Sequence, residues 1–398
     1  MRRLFIKFAS FVPIVLLVAA VNRSVDPARF YGTHFLDPSR DQYEGAVIDN
    51  LLAGRSQVLV GPYNERLVLE AVFRSKRPID TLVLGSSVAK PINGDSFPGE
   101  NLYNAAIYGG ELEEAAAVYQ LAWENGRRPK RVVLEFHGRE LGGRNWDIVP
   151  ELVPVMLRVR KRLGLPSDDS ESIRELFTQR ADRTMPDNQS TAAQFVVDQS
   201  WLHPYDKLFS PRYFQFSLRS LGNAWFDAPT VTVGSGGVAP QPEDERQVLC
   251  PDGSVLWSRK WLSHTAEQIR QLVQSDAMKP VLWNRPPLSP SHCRLFDAFI
   301  TDLERSGIKV ILVLVPPFPA AFDRMHDAYA RAHKPCPLDE CESYVRAFAK
   351  KHSIQIDGSL DPRKAGVAED EFVDYIHMRR DALARLIARN NAAQQGPN

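Results

Sequence analysis

Residues 80–93 read DTLVLGSSVAKPIN, and an apolar run, Leu82-Val83-Leu84, stops there at Gly85 and two serines. Glycine and serine are common turn residues, so one reading is a tight turn. The other is a nucleophile lifted at the carboxyl end of a parallel strand, where open α/β sheets place their sites. Which reading holds depends on whether the flanking elements build such a sheet.

They alternate as a βαβ chain should. Before the strand, Leu67, Val68, Ala71 and Val72 recur at helical spacing in YNERLVLEAVFRSK (63–76). After it, NLYNAAI (101–107) reads as a second strand that ends at Tyr108-Gly109-Gly110. A helical stripe of Leu112, Ala115, Ala116, Tyr119 and Ala122 follows, with Gly126 as its stop. KRVVLEF (130–136) is a third strand, and this alternation predicts a parallel sheet. It resumes late in the chain with a helix near 291–306 and the unbroken apolar strand IKVILVLVPP (308–317), a mark of burial on both faces. A helix near 338–351, a strand at SIQID (353–357) and a C-terminal helix close the pattern. The expected fold class is therefore α/β, a doubly wound parallel sheet of flavodoxin-like type over 79–391. A connector with a first helix (23–78) precedes it, a mostly helical insertion at about 141–290 splits it, and a tail (392–398) follows. An aromatic stretch at 201–216, with His203 inside it, reads as insertion core.

The 398 residues carry 44% hydrophobic and 24% charged side chains with a net charge of +1. That is an ordinary globular composition without the basic field that nucleic acid requires. The start differs: Arg2, Arg3 and Lys7 precede a run without charge from Phe8 to Val21. Counted from Leu4, the apolar segment is just long enough to span a bilayer. Basic residues on its inner side predict a single-pass inner-membrane anchor (1–22) with the body exported to the periplasm or outside. Val18-Ala19-Ala20 also allows a cleaved signal peptide; the anchor is preferred, because no polar region precedes that site. Of the four cysteines, Cys336 and Cys341 bracket CPLDEC, which an exported chain could close as a local disulfide. A zinc site from His333, Cys336 and Cys341 lacks a fourth ligand. Neither a metal nor a cofactor is called for.

A serine hydroxyl needs a base and a group that orients the base. FVDYIHMRRDALARLIARN (372–390) sets Asp374 three residues ahead of His377 and just before an amphipathic helix, so that a carboxylate can hold the imidazole.

Together these blocks resemble the SGNH, or GDSL-like, hydrolase family over about 79–140 and 290–391. LGSS (84–87) looks like the first family block, with Ser87 as nucleophile and Ser86 at the place of the namesake aspartate. YNAAIYGGELEEA (103–115) resembles the second, with Gly109 supplying an oxyanion N–H beside that of Ser87. DYIH (374–377) resembles the last, with Asp374 as orienter and His377 as base. The third departs: VVLEFHGREL (132–141) has no oxyanion-hole asparagine, and Arg139 stands nearest that position, two residues after His137. LVPPFP (314–319) and the approach to DYIH resemble the membrane-anchored branch of the family that serves envelope polysaccharides. The resemblance implies an esterase or O-acyltransferase acting on acyl, typically acetyl, esters of an envelope or extracellular polysaccharide, beside a membrane-embedded acyltransferase partner. An anchored glycan-binding or assembly protein with a degenerate site is the competing reading.

Overall fold

The computed structural model describes residues 2–25, 38–59, 63–142, 152–166, 232–233, 241–275 and 288–394, with Phe214, Leu218 and Met278. His203 and most of the aromatic stretch lie outside the described residues.

Five strands form one wholly parallel sheet: β2 (Thr81–Leu84), β3 (Leu102–Asn104), β4 (Arg131–Phe136), β8 (Lys309–Leu314) and β9 (Gln355–Gly358). Their spatial order is β3-β2-β4-β8-β9. Taken in chain order that is 2-1-3-4-5, the flavodoxin-like winding, whose switch point lies between the first and third strands. Here those are β2 and β4, paired in register from Thr81↔Arg131 to Leu84↔Leu134. Leu82, Val83, Leu84, Val132, Val133 and the run Ile311–Val315 are buried, as strands covered on both faces require.

The helices follow the predicted alternation. α3 (Glu65–Arg74) and α4 (Leu112–Glu124) flank the first strands, and α8 (Pro290–Arg305) precedes β8. α9 (Pro319–Arg331) and α10 (Pro337–His352) lead to β9, and α12 (Arg380–Gln394) packs on it. Phe136 meets Phe296 of α8 edge-on at 5.3 Å between ring centroids.

Two expectations change. Residues 22–62 are not a plain connector: they hold α2 (Pro38–Leu52) and β1 (Gln57–Val58). β1 pairs antiparallel with β5 (Thr232–Val233) and β6 (Val248–Leu249), and β6 continues into β7 (Val255–Leu256). The insertion therefore contributes strands as well as α5 (Val153–Arg162), α6 (Arg259–Leu262) and α7 (Ala266–Gln274). Strands two residues long carry too little alternation to be read from sequence.

The second change concerns Cys336 and Cys341, which are thiols and not a disulfide. CPLDEC is the start of α10, with Cys336 as its N-cap, rather than a loop. Five residues of α-helix rise about 7.5 Å, more than the roughly 7 Å between Cα atoms that a disulfide tolerates.

The N-terminal segment is helical. α1 (Arg2–Val25) is continuous over the expected anchor segment, and its described side chains begin at Val12. Among the described residues no helix is long and apolar enough to cross a membrane.

Candidate active site

The site begins at the end of β2. Gly85 has φ = 142°, and a Cβ placed on it would lie 2.7 Å from Glu135 Oε2 and 2.8 Å from Glu135 Cβ. Only glycine lets β2 close against β4 at this point. The chain then enters a short 3-10 turn, Ser87–Ala89, capped by Ser86, whose Oγ accepts from the Val88 N–H at 3.1 Å. Ser86 is fully buried and also donates to Glu135 through its N–H and its Oγ, both at 2.9 Å. Its role is to hold the turn. Ser87 remains half-buried at the surface of the sheet edge.

Ser87 Oγ lies 2.8 Å from His377 Nε2, and His377 Nδ1 lies 2.7 Å from Asp374 Oδ2. Asp374 Oδ1 accepts the N–H groups of Ile376 (2.8 Å) and His377 (2.7 Å). The carboxylate is thereby fixed by its own loop, and its second oxygen is aimed at the ring. Burial pushes the Asp374 pKa up. The facing His377 and these three hydrogen bonds outweigh it and hold the carboxyl below its ordinary value. With an ionised Asp374 on Nδ1–H, Nε2 carries the lone pair that can accept the Ser87 proton.

The loop carrying this pair is closed on itself. Val373 N–H donates to His377 O at 2.9 Å, Phe318 N–H to Tyr375 O at 2.9 Å, and Phe372 packs edge-on against Phe318. The insertion supports it from the other side. Trp257 Nε1 donates to Met378 O at 3.3 Å, and the rings of Trp257 and Trp261 lie 5.1 and 5.4 Å from the His377 ring. Trp257 is buried and Trp261 half-exposed. Sequence reasoning missed both, since about 120 residues separate them from His377.

On the turns that follow β2 and β3, two backbone N–H groups are left without internal work. At the first turn the N–H groups of Ser86 and Val88 are engaged; at the second, those of Tyr108, Gly110 and Glu111 are. Among the described residues, neither the Ser87 nor the Gly109 N–H donates to any acceptor. Gly109 has φ = 68°, a left-handed conformation that suits glycine.

Where the resemblance expects an asparagine, after β4, the chain holds a buried network that was not foreseen. His137 Nδ1 lies 2.9 Å from Glu135 Oε1 and 2.5 Å from Glu140 Oε1. Glu140 also accepts the N–H groups of His137, Gly138 and Arg139. Burial pushes the Glu140 pKa up, but His137 and these N–H groups hold it well below the ordinary carboxylate range. Arg139 Nε donates to His137 Nε2 at 2.8 Å, which places the ring's proton on Nδ1. The terminal guanidinium nitrogens of Arg139 make no hydrogen bond among the described residues, and the side chain is half-buried. Beyond Gly109, Glu111 is buried, and among the described residues neither of its carboxyl oxygens has a partner. Burial first, then Glu114, raises its pKa well above the ordinary value against the opposing charge of Arg139.

The structure thus brings together Ser87, Asp374 and His377 as the sequence predicted. It sets Gly109 and Arg139 on the turns that follow β3 and β4, and it leaves Cys336 and Cys341 on α10. No protein-family model matches the chain, and no characterised protein does.

Proposed function

We propose that this protein is an SGNH-type serine esterase or O-acyltransferase acting on acyl esters of an envelope or extracellular glycan. The observation that carries the reading is the Ser87–His377–Asp374 relay, with 2.8 and 2.7 Å links between side chains from opposite ends of the chain. Ser87 Oγ attacks the ester carbonyl carbon and its proton passes to His377 Nε2. The Ser87 and Gly109 N–H groups receive the oxyanion. As the intermediate collapses, His377 returns the proton to the departing alcohol, leaving an acyl group on Ser87. Water or a sugar hydroxyl, deprotonated by His377, then takes that group.

Arg139 is the third oxyanion donor in this reading. A family member that lost one donor outright would forfeit about 2.7–4 kcal/mol of transition-state stabilisation. A guanidinium held at Nε by His137 retains free N–H groups and adds positive charge. The half-exposed ring of Trp261 beside His377 supports a sugar as the alcohol, since an indole face packs on apolar C–H surface. The exposed side chains of Val12, Ile14, Val15, Leu16 and Leu17 on α1 support an anchor in the inner membrane, beside a membrane-embedded acyl donor.

The test is labelling of the full-length protein with a fluorophosphonate, a reagent that needs an activated serine. Labelling is expected in the parent and abolished in Ser87→Ala. A silent parent sinks the enzymatic reading and leaves an anchored glycan-binding or assembly protein.

A further inference from the structure

The stretch from α9 to the start of α10 gathers three side chains of ligand chemistry at some remove in sequence from the serine site. His326 lies on α9, Cys336 is the buried N-cap of α10, and Asp339 stands exposed in its first turn. The turn between the helices passes through His333 at φ = 51°, a conformation that non-glycine residues adopt at a cost. A ring nitrogen of His326, Cys336 Sγ and an Asp339 oxygen all lie within 4.8 Å of one another.

The imidazole is already aimed. Its ring is held against Phe322 at 4.2 Å between centroids. Nε2 is buried and makes no hydrogen bond among the described residues, and Asp339 Oδ1 stands 3.4 Å away. Zinc bonds of about 2.0–2.3 Å in tetrahedral geometry put ligand atoms about 3.3–3.8 Å apart, so small side-chain adjustments suffice. A surface cleft of about 550 Å³, lined by His326, Asp339, Arg346 and Lys364 among others, leaves room for a fourth, solvent-derived ligand.

The buried Glu135–His137–Glu140 group is equally compact but spent. Its carboxylates hold backbone N–H groups, Ser86 and the ring Nδ1, and Arg139 occupies Nε2. There the lone pairs are already engaged; at His326 the buried nitrogen is not.

We infer that His326, Cys336 and Asp339 bind a single divalent transition-metal ion of the zinc class, linking α9 to α10. Thiolate and imidazole ligands select zinc over magnesium or calcium. On binding, the Cys336 thiol releases its proton to solvent and His326 coordinates as the neutral ring, so affinity rises with pH.

The experiment uses chelator-treated full-length protein titrated with Zn²⁺ alone, and with Co²⁺ as a spectroscopic substitute. One Zn²⁺ per chain is expected, and Co²⁺ should give a near-ultraviolet thiolate-to-metal charge-transfer band. Losing a group that merely supports a ligand costs 10–100-fold in affinity. Cys336→Ser and His326→Gln should therefore each weaken Zn²⁺ by about 100-fold or more, while Cys293→Ser should change nothing. Asp339→Asn, at an exposed position, should weaken binding without touching the core. Fluorophosphonate labelling of Ser87 should persist in all these variants, which keeps this inference separable from the serine chemistry. Absence of stoichiometric Zn²⁺, a Co²⁺ spectrum without the thiolate band, or unchanged affinity in Cys336→Ser would overturn it.

Discussion

Asp374→Asn is the most discriminating single change at the serine site, because the structure dictates how the new side chain must sit. Asp374 Oδ1 accepts two backbone N–H groups, from Ile376 and His377. Asparagine has one oxygen, and only that oxygen can serve two donors, so its amide nitrogen is forced into the place of Oδ2. Oδ2 now faces His377 Nδ1 at 2.7 Å. An NH₂ there cannot share an edge with Nδ1–H, and the ring must move its proton to Nε2. Nε2–H then points at Ser87 Oγ and no longer accepts its proton. In triads of this kind the wrong tautomer costs about 10⁴ in kcat, or about 5 kcal/mol of barrier. The assay is hydrolysis of an activated acetyl ester, with KM followed separately, since binding of so small a substrate should barely change. Retention of activity within about tenfold of the parent would refute the assigned roles of Asp374 and His377. The same variant has a stability signature. Asp374 titrates lower in the folded chain than unfolded, where it would lie near 3.9. Its contribution is therefore present above about pH 4 and lost as pH falls through the lower folded value. Urea midpoints should fall more gently in Asp374→Asn across that window.

Ser86→Ala should keep fluorophosphonate labelling yet lower stability by about 1–2 kcal/mol, read by urea unfolding, through loss of the turn cap and of the Glu135 bond. Gly85→Ala should cost about 3 kcal/mol or more, or prevent folding, since its Cβ meets Glu135 at 2.7–2.8 Å; a wild-type melting temperature would contradict that packing. Arg139→Ala should lower kcat on an activated ester by about 10²–10³ with little change in KM, and an unchanged kcat would remove Arg139 from the oxyanion hole. Trp261→Ala should raise KM for an acylated oligosaccharide while sparing small esters, and a uniform loss would instead mean a support role for His377. A C-terminal phosphatase fusion should be active only outside the cytoplasm, and activity inside would defeat the anchored topology.

The parallel sheet was legible because each of its strands carries its own signal. The runs at 82–84, 132–134 and 310–315 are apolar without interruption, and helical stripes separate them. The small antiparallel sheet was not legible. Its strands β1, β5, β6 and β7 have two residues each, and β1 finds β5 and β6 across some 175 to 190 positions. CPLDEC misled for a different reason: two cysteines bracketing four residues suggest a closed loop, yet the proline between them is at home at the first position of a helix.

The candidate site divides along the same line. Ser87, Asp374 and His377 could be named because a nucleophile after a strand and a D-x-x-H before a helix are local patterns. What surrounds them is not local. Gly85 looked like a turn residue, but its necessity comes from Glu135, fifty residues on, which the Leu84↔Leu134 pairing brings alongside. That pairing also gives the two serines different work. Glu135 takes both the N–H and the hydroxyl of Ser86, which locks the turn and leaves the next N–H and the next hydroxyl uncommitted. The hydroxyl finds His377; among the described residues the N–H, like that of Gly109, has no acceptor. A buried carboxylate on β4 therefore decides which of two adjacent serines keeps its hydroxyl for His377, and it does so at the switch point where this winding of the sheet opens its crevice.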